Sequence, residues 1–256
     1  MAHLKLKVFS ITDFECLLRG LIKIATGTAI VVNNKGIKIA ANNEGKIRAF
    51  INSDSVRLES DDDNDSAELC FENLANLLKT IAFIKDIGEQ QEEAEFTFDG
   101  LFIKYSGKGS IKLKLDKRER IEQYLTNPIK SELKNLFTFD LTQENIKKLL
   151  TYSQLNPNYE VKLYFYIKDN TLMCDIDDRK EMAGRLSSVS IPITKEFKGI
   201  LDKPFVVDLE DLQKLNVFDQ YKIKWVLTDK CLKVLTENNT EKTQSSMMAI
   251  VRILKD

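Results

Sequence analysis

Histidine is nearly absent from this chain of 256 residues: the single one, His3, stands at its start with no cysteine at zinc-finger spacing. It gives poor support to metal catalysis and to a Ser-His-Asp triad. Cysteine is also scarce. Cys16, Cys70, Cys174 and Cys231 are scattered and form no Cys-x-x-Cys pair, so reduced, buried thiols are expected in place of a disulfide frame. No apolar run approaches the ~20 residues of a bilayer span. Met1-Ala2-His3-Leu4-Lys5 lacks the apolar core of a secretory leader, so a soluble, cytoplasmic protein without membrane partners is expected. An excess of one charge is missing too. Lys and Arg number 38 against 39 Asp and Glu, a net charge of −1, which argues against a simple basic nucleic-acid binder.

Several motifs come close to chemistry and fail. Asp61, Asp63, Asp65 and Glu72 have the spacing of a calcium loop, but Ser66 replaces its glycine and Leu69 cannot coordinate. Ser106-Gly107-Lys108-Gly109-Ser110 has the flavour of a phosphate loop, yet Phe102 stands where its first glycine belongs and a hairpin follows. Asp175 and Asp177 alternate on one face of a strand, where acidic pairs are usually just solvated. Trp225, on an alternating strand, reads as core in preference to a stacking platform.

What the chain does have is one pattern written four times: a short alternating strand, an amphipathic helix of three turns or fewer, then a run of strands. Leu4, Leu6 and Val8 alternate, Thr12 or Asp13 offers a cap, and Phe14, Leu17, Leu18, Leu21 and Ala25 form a helical stripe. Strands follow at Ala29 to Val32, Ile37 to Ala41 and Ile47 to Ile51, separated by Asn pairs. The second module alternates at Ala67, Leu69 and Phe71, caps at Asn73, and carries Leu74, Leu77, Leu78 and Ile81 on one helical face. The third opens at Leu136 to Phe139, caps at Thr142, and places Ile146, Leu149 and Leu150 together. The fourth runs from Phe205 to Val207 into a weak helix (Leu209, Leu212, Leu215) and three strands. A charged connector containing Pro128 divides the chain, predicting an N-terminal domain over 1–115, a connector over 116–135 and a C-terminal domain over 136–256. The fold class is therefore α+β, four β-α-β-β-β modules in two domains.

Charge is distributed unevenly. Arg19, Lys23, Lys79, Lys147, Lys148 and Lys214 fall on the polar sides of the four helices, and acid gathers in Glu59 to Asp65. If the helices share a surface, it can track phosphate without reading bases; otherwise these are ordinary solvated faces.

The repeated order, together with Gly36-Ile37-Lys38-Ile39-Ala40-Ala41 and Tyr221-Lys222-Ile223-Lys224-Trp225, resembles the sliding clamps of DNA replication, in the two-domain form of proliferating cell nuclear antigen (PCNA) and the clamps of large tailed phages. The resemblance covers essentially the whole chain. It implies the DNA clamp fold, with helices lining a ring and antiparallel sheets outside. It also implies a non-enzymatic processivity factor without cofactor or metal: a homotrimer that encircles double-stranded DNA independently of sequence, is placed by a clamp loader, and tethers DNA polymerase. Carried over by position, Arg19, Lys23, Lys79, Lys147, Lys148 and Lys214 line the channel, with Glu15, Glu210 and Asp211 departing from a purely basic lining.

By the same resemblance, Ser110, Ile111, Lys112, Leu113, Lys114 and Leu115 of one subunit pair with Leu186, Ser187, Ser188, Val189 and Ser190 of the next. Without the resemblance, Lys112 and Lys114 read as protection of an exposed edge. A partner-peptide groove maps to Ala41, Ile47, Ile121, Tyr124, Leu125, Ile253 and Leu254, whose alternative is cover for a domain seam. The rival to the clamp is a structural or virion β-rich assembly protein that does not encircle DNA.

Overall fold

The computed structural model describes residues 4–60, 62, 65–88, 92–126, 132–154, 161–177, 188–215 and 222–254. The chain forms two compact units, Met1–Pro128 with Glu237–Met248, and Ile129–Thr236 with Ala249–Asp256. The first half opens with β1 (Leu4–Val8), α1 (Ile11–Ile24), β2 (Thr28–Asn33), β3 (Gly36–Asn43), β4 (Ile47–Ser53) and β5 (Val56–Glu59). It continues with β6 (Ser66–Phe71), α2 (Leu74–Ile87), β7 (Ala94–Phe98), β8 (Phe102–Ser106) and β9 (Ser110–Lys114). After the short helix α3 (Arg118–Ile121) and a 3-10 turn at Glu122–Tyr124, the second half begins with β10 (Asn135–Asp140), α4 (Gln143–Gln154), β11 (Lys162–Lys168), β12 (Thr171–Asp177), β13 (Ser188–Thr194) and β14 (Phe197–Gly199). It ends with β15 (Phe205–Asp208), α5 (Leu209–Leu215), β16 (Lys222–Thr228), β17 (Cys231–Asn239) and β18 (Gln244–Arg252).

The α+β class and the fourfold order are present, with two differences. Helices α1 and α2 each have 14 residues, nearly four turns, where three or fewer were expected. The cap of α1 is Ser10, whose hydroxyl accepts from the Asp13 amide at 3.2 Å. Starting one residue before Thr12 adds Ile11, 1% exposed, to the buried face. Asn73 and Thr142 cap where expected, accepting from Ala75 and Asn145 at 3.0 and 3.2 Å. The second difference is two additional short strands. β5 pairs with β1 (Val8↔Val56, Leu6↔Leu58) and β14 with β10 (Phe139↔Phe197), so each half extends its first sheet by one strand.

The modules do not close on themselves. β1 runs antiparallel to β7, from the second module, and β6 runs antiparallel to β2, from the first. The first unit therefore holds the sheets β5-β1-β7-β8-β9 and β4-β3-β2-β6. The second half repeats the exchange, β10 on β16 and β15 on β11, giving β13-β12-β11-β15 and a sheet in the order β14-β10-β16-β17. β9 and β13 are the terminal strands of their sheets.

Helices cover the apolar faces. In the first unit Phe14, Leu17, Leu18 and Leu21 from α1 and Leu74, Leu77, Ile81 and Ile84 from α2 are buried. The core of the second unit is aromatic: the Phe165 and Phe205 rings stack at 4.9 Å and 9°, with Phe139 and Trp225 tilted against Phe165 at 6.0 and 6.1 Å. Trp225 is 1% exposed, the core position expected of it. All four cysteines are free thiols, three of them buried, and burial pushes the Cys174 thiol up. Among the described residues no helix is long and apolar enough to cross a membrane.

Replacing Phe165, fully buried in this cluster, by Ala removes a stacked ring the backbone cannot collapse around. Urea unfolding should show a loss of about 3–5 kcal/mol from the second unit; a loss under about 1 kcal/mol would contradict the packing described.

Candidate nucleic-acid interface and subunit edges

Each helix turns one stripe outward. On α1 it is Thr12, Arg19 and Lys23, all exposed, with Cys16 half-buried between them, a spacing of four, three and four that keeps one face. On α2 it is Asn76, Lys79, Phe83 and Asp86, and on α4 Glu144, Lys147, Lys148 and Thr151. On α5 Glu210 is exposed and Lys214 half-buried. Within the first unit α1 packs beside α2, so Arg19, Lys23 and Lys79 belong to one helical pair; within the second, α4 packs beside α5 and does the same for Lys147, Lys148 and Lys214.

Not all of these cations carry free charge. Lys148 pairs with Glu144 at 2.8 Å and Lys214 with Glu210 at 2.6 Å, both one turn apart on their own helices. Such exposed pairs are worth little to stability and exchange readily for phosphate. Lys23, Lys79 and Lys147 have no carboxylate partner among the described residues.

Glu15, which departs from a basic lining, is 8% exposed and acts as a counter-ion. Its Oε1 accepts from Arg19 Nε at 3.0 Å and its Oε2 from Lys85 Nζ at 3.1 Å, so it ties α1 to α2. Burial pushes its carboxyl up, but the hydrogen bonds and charges of Arg19 and Lys85 outweigh this and hold it below the ordinary value of 4.5. The cluster stays net positive. Lys85 was not among the residues expected here; it lies four residues beyond Ile81, the last of the apolar stripe read from sequence.

The strand edges carry the expected alternation. On β9 Ser110, Lys112 and Lys114 are exposed, Ile111 and Leu113 half-buried, and Leu115, just past the strand, buried. On β13 Ser190 is exposed and Val189 half-buried; Leu186 and Ser187 lie outside the described residues, as does the side chain of Ser188. The Leu115 amide donates to the Leu101 carbonyl at 2.9 Å. With Ile103 opposite Leu113 and Tyr105 opposite Ile111, this alternation sends the amides of Ile111 and Leu113 into the sheet and those of Lys112 and Lys114 to the free edge.

The groove residues require correction. Ala41, Ile47 and Ile121 are each 0% exposed and cannot wall a surface groove. Ala41 and Ile47 point inward from β3 and β4; the outward faces carry Ala40 opposite Phe50 and Asn42 opposite Arg48. Ile121 packs onto Ala29 and Cys70, with Tyr124 and Leu125 half-buried against them. The helical turn that brings it there is held to β6 by Arg118–Glu68, by Arg120–Glu72 at 3.7 Å, and by the Asp116 amide on the Cys70 carbonyl at 2.9 Å. Tyr124 and Leu125 remain at the surface of the first unit. In the second, Ile253 and Leu254 are half-buried, and the Leu254 amide donates to the Val206 carbonyl at 3.1 Å. Among the described residues no group of three or more His, Cys, Asp or Glu could hold a metal ion.

No family model matches the sequence, and no curated protein matches it. Solved structures do match the fold. PCNA of Entamoeba histolytica superimposes with a TM-score of 0.72 over 100% of both chains at 12% identity. A. fulgidus PCNA, in a structure with the C-terminal region of FEN-1, gives 0.71 over 99% of both chains at 12% identity. The PCNA2–PCNA3 complex of Sulfolobus tokodaii gives 0.66 over 97% of this chain and 98% of that one, also at 12% identity. The chain has the PCNA sliding-clamp fold.

The bridge between the helices of this clamp fold has a pH signature. Because the carboxyl of Glu15 is held low in the folded protein, its stabilisation is full above the ordinary glutamate value of 4.5 and disappears as pH falls through the folded value. Glu15→Gln should therefore be less stable than the parent at pH 7, with the gap in urea midpoint closing on acidification. A gap independent of pH would contradict the bridge.

Proposed function

We propose that this protein is a DNA sliding clamp: three copies close head to tail into a ring around duplex DNA, and the ring tethers DNA polymerase and other replication proteins. The observation that supports this reading best is that two units with the same interleaved topology each end a sheet in an unpaired strand, β9 in one and β13 in the other, of matching apolar-polar alternation. β9 and β13 are unlike edges, which suits a heterologous contact, and a heterologous contact that closes makes a ring. In the S. tokodaii structure, PCNA2 and PCNA3 form a complex.

Encirclement accounts for the weak charge. Where topology holds the DNA, the helices need only screened, sequence-independent contacts to phosphate, and tight base contacts would stop sliding. Arg19, Lys23, Lys79, Lys147, Lys148 and Lys214 supply them, with Lys23, Lys79 and Lys147 the readiest because no carboxylate competes. The protein acts as a scaffold and not as an enzyme, with opening and placement left to a clamp loader. A. fulgidus PCNA is seen bound to the C-terminal region of FEN-1. On this chain, a client peptide would meet Tyr124 and Leu125 with outward-facing Ala40 and Phe50 of the same unit; Ile253 and Leu254 are further candidates in the other.

Light scattering over a range of concentrations should give three times the 29.4 kDa chain mass. Lys114→Pro, which removes an amide from the free edge of β9, should give folded monomers, and Lys114→Gln should still assemble. A parent protein that stays monomeric at high concentration would overturn the ring.

A further inference from the structure

The free edge of β9 carries charge that its own chain does not answer. Lys112 and Lys114 are exposed on its outward face. The Lys112 ammonium sits 3.6 Å from the centre of the Phe102 ring, which holds it over the sheet, and Lys104 is its register partner. Lys104 is neutralised by Asp99 at 2.7 Å. Among the described residues, Lys112 and Lys114 have no carboxylate partner.

The edge of the second unit is the complement. Asp175 of β12 lies opposite Ser190 of β13 and accepts from Ser190 Oγ at 2.6 Å and from Tyr166 Oη at 2.9 Å. Both hydroxyls donate to its Oδ1 and leave its charge; among the described residues no cation pairs with it. Asp175, read from the sequence as half of a solvated acidic pair, is a carboxylate facing outward beside an edge strand.

Pleat parity decides where these groups go when the edges meet. Ile111 and Leu113 face the apolar side of the β9 sheet, and Ile191 and Ile193 are buried on the apolar side of the β13 sheet. A ladder between copies that keeps both apolar sides continuous must place Lys112 and Lys114 on the side of Ser190 and Asp175. With strands ~4.8 Å apart, Asp175 stands about 10 Å from the β9 backbone with only a serine between, within reach of a four-carbon lysine stem.

We infer that Lys112 and Lys114 of one copy bind Asp175 of the next across Ser190, so that the ring joint is held partly by charge and its closure weakens as salt rises. The inference rests on the ring reading. A joint of backbone ladder and apolar contact alone would hold or tighten in salt, so the sign of the response separates the two.

Sedimentation of the full chain over a dilution series, at about 0.1 M and about 1 M NaCl, spans screening lengths from ~10 Å to ~3 Å. The concentration at which half the rings dissociate should rise about tenfold between these salts for the parent, the scale of a desolvated charge contact. Asp175→Asn keeps the acceptor for both hydroxyls and should lose that response, as should Lys112→Gln with Lys114→Gln. Exchanging the charges (Lys112→Asp and Lys114→Asp with Asp175→Lys) should recover assembly that either half alone loses. A parent trimer with the same dissociation and salt response as Asp175→Asn would overturn the inference and leave the ring standing. A parent that is monomeric throughout would overturn the ring itself, and the inference with it.

Discussion

Each opening strand completes the sheet of the other module: β1 lies on β7 and β6 on β2, and the same exchange recurs as β10 on β16 and β15 on β11. A single module would leave its first strand unpaired, or paired only with the short β5 or β14, and its helix half-covered, so neither module is stable alone. The exchange also sets α1 beside α2 and α4 beside α5, because each helix follows a strand committed to its neighbour's sheet. It leaves β9 and β13 each ending a sheet in its unit. Helical pairs and free edges are thus consequences of one pairing rule applied twice.

Function on this account needs little chemistry from individual side chains. A ring that holds DNA by closure requires cations that are present, outward and weakly held. Glu15 shows how acid is tolerated among them: sunk between two helices, it spends its charge on Arg19 and Lys85 and is withdrawn from solvent. The i,i+4 pairs at Lys148 and Lys214 are solvent-screened and can open for phosphate at small cost.

The period of four modules, their strand-helix-strand order, and the caps at Asn73 and Thr142 were legible in the sequence because alternation and helical spacing are strong over five or more residues. β5 and β14 were not, since strands of four and three residues are too short to show a period and owe their pairing to β1 and β10. Ala41, Ile47 and Ile121 failed as groove residues for a different reason. In Gly36-Ile37-Lys38-Ile39-Ala40-Ala41 the alternation sets Ala41 with the buried Ile37 and Ile39 and Ala40 with the exposed Lys38, so placing Ala41 in a surface groove overlooked a parity that the strand itself carries. The burial of Ile121 depends on Ala29 and Cys70, distant in sequence and unpredictable from the connector alone. The Glu15–Lys85 bridge, with 70 residues between its partners, is equally invisible locally.

Closure around DNA is the claim on which the rest turns, and topology tests it without any assumption about partners. Protein loaded onto nicked circular duplex should stay bound through gel filtration at about 0.15 M NaCl, where the joint is not weakened by salt, and should run off as soon as the same DNA is cut once. Equal retention on circular and linear DNA, or loss from both, would contradict encirclement.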